Sequence, residues 1–249
     1  MLNDRNFKLT REKTIALLHQ LETGDNSIIT VYLPSGMPMV DIEILLKRNP
    51  LAQTIPADAI RLAAVSMTGS ILFWGTSRKY LISPPFPLKE KYITNDYDIE
   101  PMCSLLTQGL TIGIILVRLG YYSIGICQDE KLIEHITGTG LVHGRQRQGG
   151  SSAARFQRRR KDQTHHFLER VGEHIREKFE PYTKKLDYMV YGGARTTINQ
   201  LKKQCPFLQQ FENRLLPPLL EIPDPRLNVL EKAVTNIWSS KITEWQDKN

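Results

Sequence analysis

The chain has 249 residues, of which 41% are apolar, 24% charged and 8% aromatic, and its net charge is +7. These proportions are typical of a globular protein and exclude collagen, a coiled coil or disorder as the whole structure. The longest apolar stretch, residues 110–119, is about half of the roughly 20 residues that a membrane span needs, and the N-terminus lacks the apolar segment of a signal peptide. We therefore expect a cytoplasmic protein with no membrane partner.

The cysteines and histidines give no sign of a metal or a disulfide framework. Cys103, Cys127 and Cys205 are widely spaced and form no CxxC pair, which favours buried structural thiols. The six histidines form no HExxH or comparable spacing. We therefore expect no structural metal and no cofactor.

Residues 1–100 are predicted to form a smaller accessory α/β region. Helical periodicity and β-branched runs predict its elements. They are a helix over 10–22, a strand over 27–33, helices over 41–47 and 57–67, and a strand pair over 70–75 and 79–83. Pro84, Pro85 and Pro87 then interrupt regular structure, and no period is evident as far as residue 100. We place a domain boundary there.

Residues 108–243 are predicted to form a second α/β domain. Apolar runs over 111–119, 121–128 and 131–138, joined by very short turns, predict an antiparallel three-stranded meander. The elements predicted after it are a long helix over 152–179, a strand over 186–193, a helix over 194–205, a short strand over 219–223 and a last helix over 225–245. The alternation of strands and helices implies parallel pairing, and Gly192-Gly193 is interpreted as a strand-to-helix turn.

The excess positive charge lies in one segment. Residues 135–161 contain seven cations and no acid, so the rest of the chain balances at 26 cations against 26 acids. Such concentration is typical of a surface that meets phosphates, whereas a merely solvated helix face would carry compensating acids at i+3 and i+4. Nucleic acid is therefore the leading partner class. The candidate nucleic-acid-binding residues are Arg145, Arg147, Arg155, Arg158, Arg159, Arg160 and Lys161.

The two halves of the predicted long helix differ. In the C-terminal half, Phe167, Val171, Ile175 and Phe179 recur every four residues and form a stripe to bury. In the N-terminal half only Phe156 is strongly apolar, and the cations point in nearly all directions around the axis. We expect this half, roughly 20 Å long at 1.5 Å per residue, to project from the body.

A glycine pair precedes this helix. Gly149 and Gly150 permit positive φ and a close backbone approach to a phosphate or sugar, and the first amides of the helix add an anion site, with Ser151 or Ser152 as N-cap. Gly138, Gly140 and Gly144 predict a mobile approach to this tip.

These features carry a resemblance. The meander, the run GRQRQGGSSAARFQRRR over residues 144–160, the long helix and the strand ending in Gly-Gly resemble the catalytic central domain of archaeal and eukaryotic-type peptide release factors. More closely, they resemble the Vms-like release factors of ribosome rescue, over about residues 108–243. The resemblance implies a ribonuclease-H-like α/β domain with a mixed sheet, whose loop enters the peptidyl-transferase centre and promotes cleavage of peptidyl-tRNA.

The sequence departs from this family at one position. The family places a glutamine just after the glycines to position the attacking water or hydroxyl, but here that position falls on Ser151, Ala153 or Ala154. Gln148 is our candidate for the water-positioning role, with Gly149 and Gly150 shaping the tip and Gln146 or Ser152 as weaker substitutes. Backbone N–H groups near Gly150 could also orient water or stabilise an oxyanion.

Three functions are therefore open. The first is a ribosome-associated release or rescue factor with peptidyl-tRNA hydrolase-type activity, whose partners are large-subunit rRNA and peptidyl-tRNA; an endonucleolytic cut near the tRNA 3′ end is a variant of it. The second is a non-catalytic ribosome- or tRNA-binding protein with an inactive tip. The third is a basic structural protein with a solvated arm.

Overall fold

The computed structural model describes residues 3–22, 28–76, 78–144 and 153–246. The chain divides into two compact units, Met1–Gln108 together with Thr235–Asn249, and Gly109–Val234. None of the helices within the described ranges combines the length and apolarity needed to cross a membrane.

The first unit is a six-stranded antiparallel sheet with helices on both faces. Its elements are β1 (Asn3–Leu9), α1 (Arg11–Glu22), β2 (Ile28–Leu33), α2 (Met39–Lys47), a 3₁₀ turn (Leu51–Thr54), α3 (Ala57–Ala64), β3 (Ser70–Gly75), β4 (Lys79–Ser83), β5 (Tyr92–Thr94), α4 (Glu100–Thr107) and β10 (Ser240–Gln246). The strands follow the order β1-β10-β4-β3-β2-β5, and every neighbouring pair is antiparallel.

Strand β2 shows how this unit is packed. Ile29 and Val31 join a core cluster with α2 and α3, whereas Ile28 and Tyr32 join a second cluster with α1 and α4. Because both faces are covered, every residue of β2 is buried. A strand buried on both faces reads as a continuous apolar run instead of an alternating one.

The predicted helices and strands of the N-terminal region are confirmed, and two further strands and one further helix are present besides the 3₁₀ turn at Leu51–Thr54. Strand β1 was not predicted because Phe7 and Leu9 are almost its only apolar residues, and its structure depends on pairing with β10. The prediction of irregular structure up to residue 100 was wrong for β5, which adds to the edge of β2. Helix α4 follows that stretch and buries Met102 and Leu106.

The second unit contains a four-stranded mixed sheet in the order β8-β7-β6-β9. Strands β6 (Thr111–Arg118), β7 (Tyr121–Gln128) and β8 (Lys131–Thr139) form the predicted antiparallel meander, and β9 (Tyr188–Gly193) pairs in parallel with β6 as predicted. The helices are α5 (Ala153–Phe179), α6 (Arg195–Gln204) and α7 (Leu227–Ile237), with 3₁₀ segments at Glu180–Tyr182 and Pro206–Arg214. The predicted α/β class with a mixed sheet is thus confirmed.

A close backbone approach marks the turn between β9 and α6. Gly193 has φ 123°, and a Cβ built on it would lie 2.0 Å from the Val117 carbonyl oxygen. Only glycine fits both conditions without strain. The interpretation of Gly192-Gly193 as a strand-to-helix turn is confirmed.

Two predictions for the C-terminal region were wrong. Residues 219–223 form no strand and contribute only an isolated bridge between Leu220 and Gly192. The helix predicted over 225–245 ends at Ile237, and residues 240–246 form β10 between β1 and β4. Trp238, Ile242 and Trp245 are spaced as on one face of a helix. The segment is nevertheless a strand, because it pairs with β1 on one side and β4 on the other. The predicted domain limit at residue 243 accordingly falls inside a strand of the first unit.

Candidate nucleic-acid interface

The C-terminal half of α5 anchors the helix on the sheet of the second unit. Val171, Ile175 and Phe179 are fully buried in one core cluster together with Ile198 and Leu201 of α6. The predicted apolar stripe is therefore the packed face. It gives the rest of α5 a fixed base.

The N-terminal half of α5 buries nothing. From Ala153 to His166 no residue is buried, and Phe156, its one large apolar side chain, is 44% exposed. Four of its five cations are exposed and Arg160 is half-buried. The prediction that this half does not pack on the core is confirmed, and the cations present their charge to solvent.

The chain that leaves β8 runs back along α5. Arg170 donates from Nη2 to the Thr139 carbonyl oxygen at 2.7 Å, and Arg160 donates from Nε to the His143 carbonyl oxygen at 2.9 Å. The His143 N–H donates to Oε1 of Gln163 at 3.2 Å. The four extended residues from Thr139 to His143 span about 13 Å, and the ten helical residues from Arg170 to Arg160 span about 15 Å. The two segments therefore run side by side over nearly the same length. These hydrogen bonds hold residues 139–144 against the cationic half.

Gly138 and Gly140 lie where neighbouring side chains pack closely, and the expectation of a mobile approach stays a prediction. A Cβ on Gly138 would lie 2.3 Å from Oη of Tyr122, and one on Gly140 would lie 2.5 Å from the Phe167 ring. The Tyr122 ring is itself held between Phe167, at 6.1 Å, and His174, at 5.7 Å between ring centroids. Burial raises the pKa of the Tyr122 phenol, which stays neutral. The end of β8 is therefore packed tightly on α5.

An open groove of about 1310 Å³ lies between the cationic half of α5 and helix α6. The α5 wall carries Phe156, Arg160 and Lys161, and the α6 wall carries Thr196 and Gln200. The further residues that line it are Leu119, His143, Gly144, Ala153, Gln157, Arg159, Asp162, Thr164, His165, Thr197 and Gln204. Among the described lining residues Asp162 is the single acid, so the groove has an excess of positive charge.

The structure brings together part of the predicted site. Arg159, Arg160 and Lys161 line the groove, while Arg155 and Arg158 are exposed on α5 and do not line it. The predicted residues Gln148, Gly149, Gly150 and Ser152, with Arg145 and Arg147, lie outside the described residues. Their roles stay predictions.

Sequence reasoning missed the α6 wall. Thr196, Gln200 and Gln204 recur every four residues opposite the buried Ile198 and Leu201. A polar uncharged stripe at helical spacing was the available signal. The bonds of His143 to α5 had no signal, because they join backbone groups to side chains about 20 positions away.

No metal centre is evident in the described part of the chain, where no group of three or more His, Cys, Asp or Glu side chains could hold an ion. Cys127 and Cys205 are buried free thiols and Cys103 is half-buried. Burial raises the pKa of the Cys127 thiol to about 12, so it stays protonated. None of these groups adds a reactive centre to the groove.

These observations define a mixed α/β protein that presents an unburied cationic helix beside a polar groove. Comparison with known proteins identifies the family. Residues 110–243 match the model of the Actinobacteria/chloroflexi VLRF1 release factor family, which is more than half of the chain. The chain belongs to this release factor family, as the resemblance predicted.

Individual relatives are similar to the same region and beyond it. Peptide chain release factor subunit 1 of Saccharolobus solfataricus is 24% identical over 250 residues, covering 88% of this chain and 67% of that protein. The same subunit of Thermococcus sibiricus is 34% identical over 145 residues, covering 56% of this chain and 34% of that protein. The chain thus spans between about a third and two thirds of these curated relatives.

A solved structure is similar to this chain over most of its length. The crystal structure of the archaeal translation termination factor aRF1 is 19% identical and gives a TM-score of 0.41, covering 92% of this chain and 70% of that one.

Proposed function

We propose that this protein is a cytoplasmic, ribosome-associated release or rescue factor that promotes cleavage of peptidyl-tRNA. The observation that carries the proposal is the division of α5 into a buried C-terminal half and an unburied cationic N-terminal half, directly after the Gly-Gly segment of the sequence. Membership of a release factor family supports the same role. The partners in this proposal are large-subunit rRNA and peptidyl-tRNA.

The cations suit a phosphate partner. Arg155, Arg158, Arg159 and Lys161 are exposed and follow one another around a single helix. Each phosphate that such a side chain neutralises releases condensed counterions, which strengthens binding and makes it sensitive to salt. A helix anchored at one end and charged at the other can enter a cavity lined by RNA without losing any core contact.

The catalytic part of the proposal concerns residues 148–152. Gly149 and Gly150 would let the backbone approach the ester that joins peptide and tRNA, and the N–H groups of residues 150–152 would stabilise the developing oxyanion. Gln148 would orient the attacking water through its side-chain amide. Ser152 would take part as a weaker polar neighbour.

A second candidate is a non-catalytic factor that occupies the same ribosomal site. The observation that favours it is the pair Ala153 and Ala154 in the first turn of α5, where the family resemblance implies a glutamine. A methyl group neither donates nor accepts a hydrogen bond, so it cannot position water. Peptide release separates the two candidates, because only the first forms product.

Binding to ribosomes or isolated large subunits across a range of salt concentrations tests the mode of docking. The variant replaces Arg155, Arg158 and Arg159 by Ala; Arg160 is kept because it holds His143. The matched control replaces Lys89, Lys91 and Lys131, three exposed cations elsewhere. We expect weaker binding and a log–log salt slope lower by about two to three for the arginine variant alone. Equal behaviour of the two variants would overturn the proposed docking, and salt-insensitive failure of the wild type to bind would overturn the function.

A further inference from the structure

We propose that the groove between α5 and α6 is a binding site for a single RNA strand, with the phosphates along α5 and one base stacked on Phe156. This inference rests on the proposed function, because it assumes that the cationic half of α5 meets RNA. It adds a second contact to that site, separate from the Gly-Gly segment, and gives it a preference for unpaired nucleotides.

The groove widens from a point of contact between the two helices. A Cβ on Gly172 would lie 3.2 Å from Cβ of Cys205, so the helices touch there. The lining residues lie on the N-terminal side of that contact, over 153–165 of α5 and 196–204 of α6. A volume of about 1310 Å³ exceeds the roughly 300–1,000 Å³ typical of small-molecule pockets. Its size and open form suit a segment of a polymer.

Phe156 supplies a stacking platform. It is 44% exposed, whereas Phe167 and Phe179 on the same helix are at most 3% exposed. It lines the groove in the first turn of α5, one turn before Arg160. An aromatic side chain flanked by cations is the combination that binds single-stranded nucleic acid, since the bases stack and the cations follow the phosphates. Paired bases in a duplex are already stacked on each other and cannot use such a platform.

The opposite wall offers hydrogen-bonding groups without charge. Thr196, Gln200 and Gln204 project hydroxyl and amide groups from α6 into the groove. At the narrow end, Oε1 of Gln204 is buried and has no hydrogen-bond partner among the described residues. A buried acceptor without a donor is unfavourable, so the Gln204 side chain would gain a hydrogen bond by turning towards a base amino group or a ribose 2′-hydroxyl of a bound strand.

The distribution of charge between the two walls orients the strand within the groove. Arg159, Arg160 and Lys161 lie on the α5 wall, and the Nε–H of Arg160 is fixed by the His143 carbonyl. The α6 wall within the groove carries no described cation. Phosphates are therefore favoured beside Arg159, Arg160 and Lys161, about one turn from Phe156 on the same wall, and the uncharged α6 wall is left to the bases and riboses.

Fluorescence anisotropy with the full chain tests this inference, using a labelled 12-nucleotide single-stranded RNA and the duplex of the same sequence. The Phe156→Ala variant is expected to bind the single strand roughly 5- to 150-fold more weakly, which is the value of one base–aromatic stack, with an unchanged salt slope. Phe156→Trp should bind like the wild type. Circular dichroism should show the same helix content in all variants, since Phe156 is not buried.

A pair of cation variants locates the strand. Lys161→Ala removes a cation that lines the groove and should weaken single-strand binding and lower the salt slope by about 0.7. Arg158→Ala removes an exposed cation from the same helix outside the groove, and should change single-strand binding less. The inference is overturned if Phe156→Ala leaves single-strand affinity unchanged or weakens duplex binding equally. If ribosome binding still depends on the α5 arginines in that case, the proposed function stands. If the wild type does not bind ribosomes at all, both the inference and the proposed function are overturned.

Discussion

At the scale of single residues, Gly193 has the closest backbone contact among the described glycines of the second unit. An alanine there would place Cβ 2.0 Å from the Val117 carbonyl oxygen at a φ of 123°. We expect Gly193→Ala to lower the free energy of unfolding by about 2–5 kcal/mol. Denaturant unfolding measures this, with Gly109→Ala as control because a Cβ on Gly109 has nothing within 4 Å. Similar unfolding midpoints for the two variants would contradict the described turn.

The buried thiol of Cys127 links stability to alkaline pH. Burial raises its pKa from 9.0 to about 12, so between these values the unfolded chain loses a proton that the folded chain keeps. The stabilisation is full below pH 9 and is lost as the pH rises towards 12. The difference in unfolding free energy between the wild type and Cys127→Ala should therefore shrink over this interval. Urea unfolding at pH 7, 9 and 10.5 measures it, and a constant difference would contradict the assigned burial.

Those features of the candidate site that depend only on residue type and spacing could be predicted from the sequence. The concentration of cations over 135–161 and the apolar stripe of α5 follow directly from residue type and spacing. The hydrogen bonds of His143 and the unpaired Oε1 of Gln204 could not be predicted, because they depend on which elements come together in space.

At the scale of elements, α5 combines two physical regimes in one helix. Its C-terminal half is core and its N-terminal half is charged surface, although both keep unbroken helical geometry over 27 residues. Stability and partner binding should accordingly respond to different substitutions along the same helix.

We expect Ile175→Ala to lower the free energy of unfolding by about 2–5 kcal/mol, because its side chain is fully buried. Replacing Arg155, Arg158 and Arg159 together by Ala should change it by less than about 1 kcal/mol. Thermal and urea unfolding of both variants measure the contrast. A marked loss of stability in the arginine variant would show that this half packs on the protein.

Element prediction succeeded where one pattern is sufficient. The meander, α5 and α6 have clear periods, so their bounds agree with the predicted ranges to within a few residues. Strands β1 and β10 are mostly polar and are held by pairing with strands that are distant in sequence. No local pattern specifies such pairing, which is why one was missed and the other was taken for helix.

At the scale of the whole molecule, the two ends of the described chain meet in one sheet. Strand β10 lies between β1 and β4, so the first unit is built from sequence on both sides of the second. All three tryptophans, Trp74, Trp238 and Trp245, belong to this first unit. Their fluorescence therefore reports on that unit alone.

A substitution in β10 should consequently destabilise the first unit. Ile242 is 1% exposed and pairs with Phe7 and Ile82, whereas the adjacent Lys241 is exposed. We expect Ile242→Asp to shift the tryptophan-detected urea midpoint strongly downwards, since a carboxylate is costly to bury. Lys241→Asp, the matched control, should shift it little. Equal shifts would contradict the placement of β10.

The assignment of the release function joins all three scales, and peptide release measures it most directly. Purified ribosome or large-subunit complexes carrying labelled peptidyl-tRNA are incubated with the wild type, with Gly150→Ala, with Gln148→Ala, and with the arginine variant in which Arg155, Arg158 and Arg159 are replaced by Ala. We predict release by the wild type, its loss in the Gly150 and Gln148 variants without loss of binding, and recovery of the arginine variant's release as its concentration is raised. Tight binding of the wild type with no release in any condition would contradict the catalytic assignment and leave a ribosome-binding factor with an inactive tip.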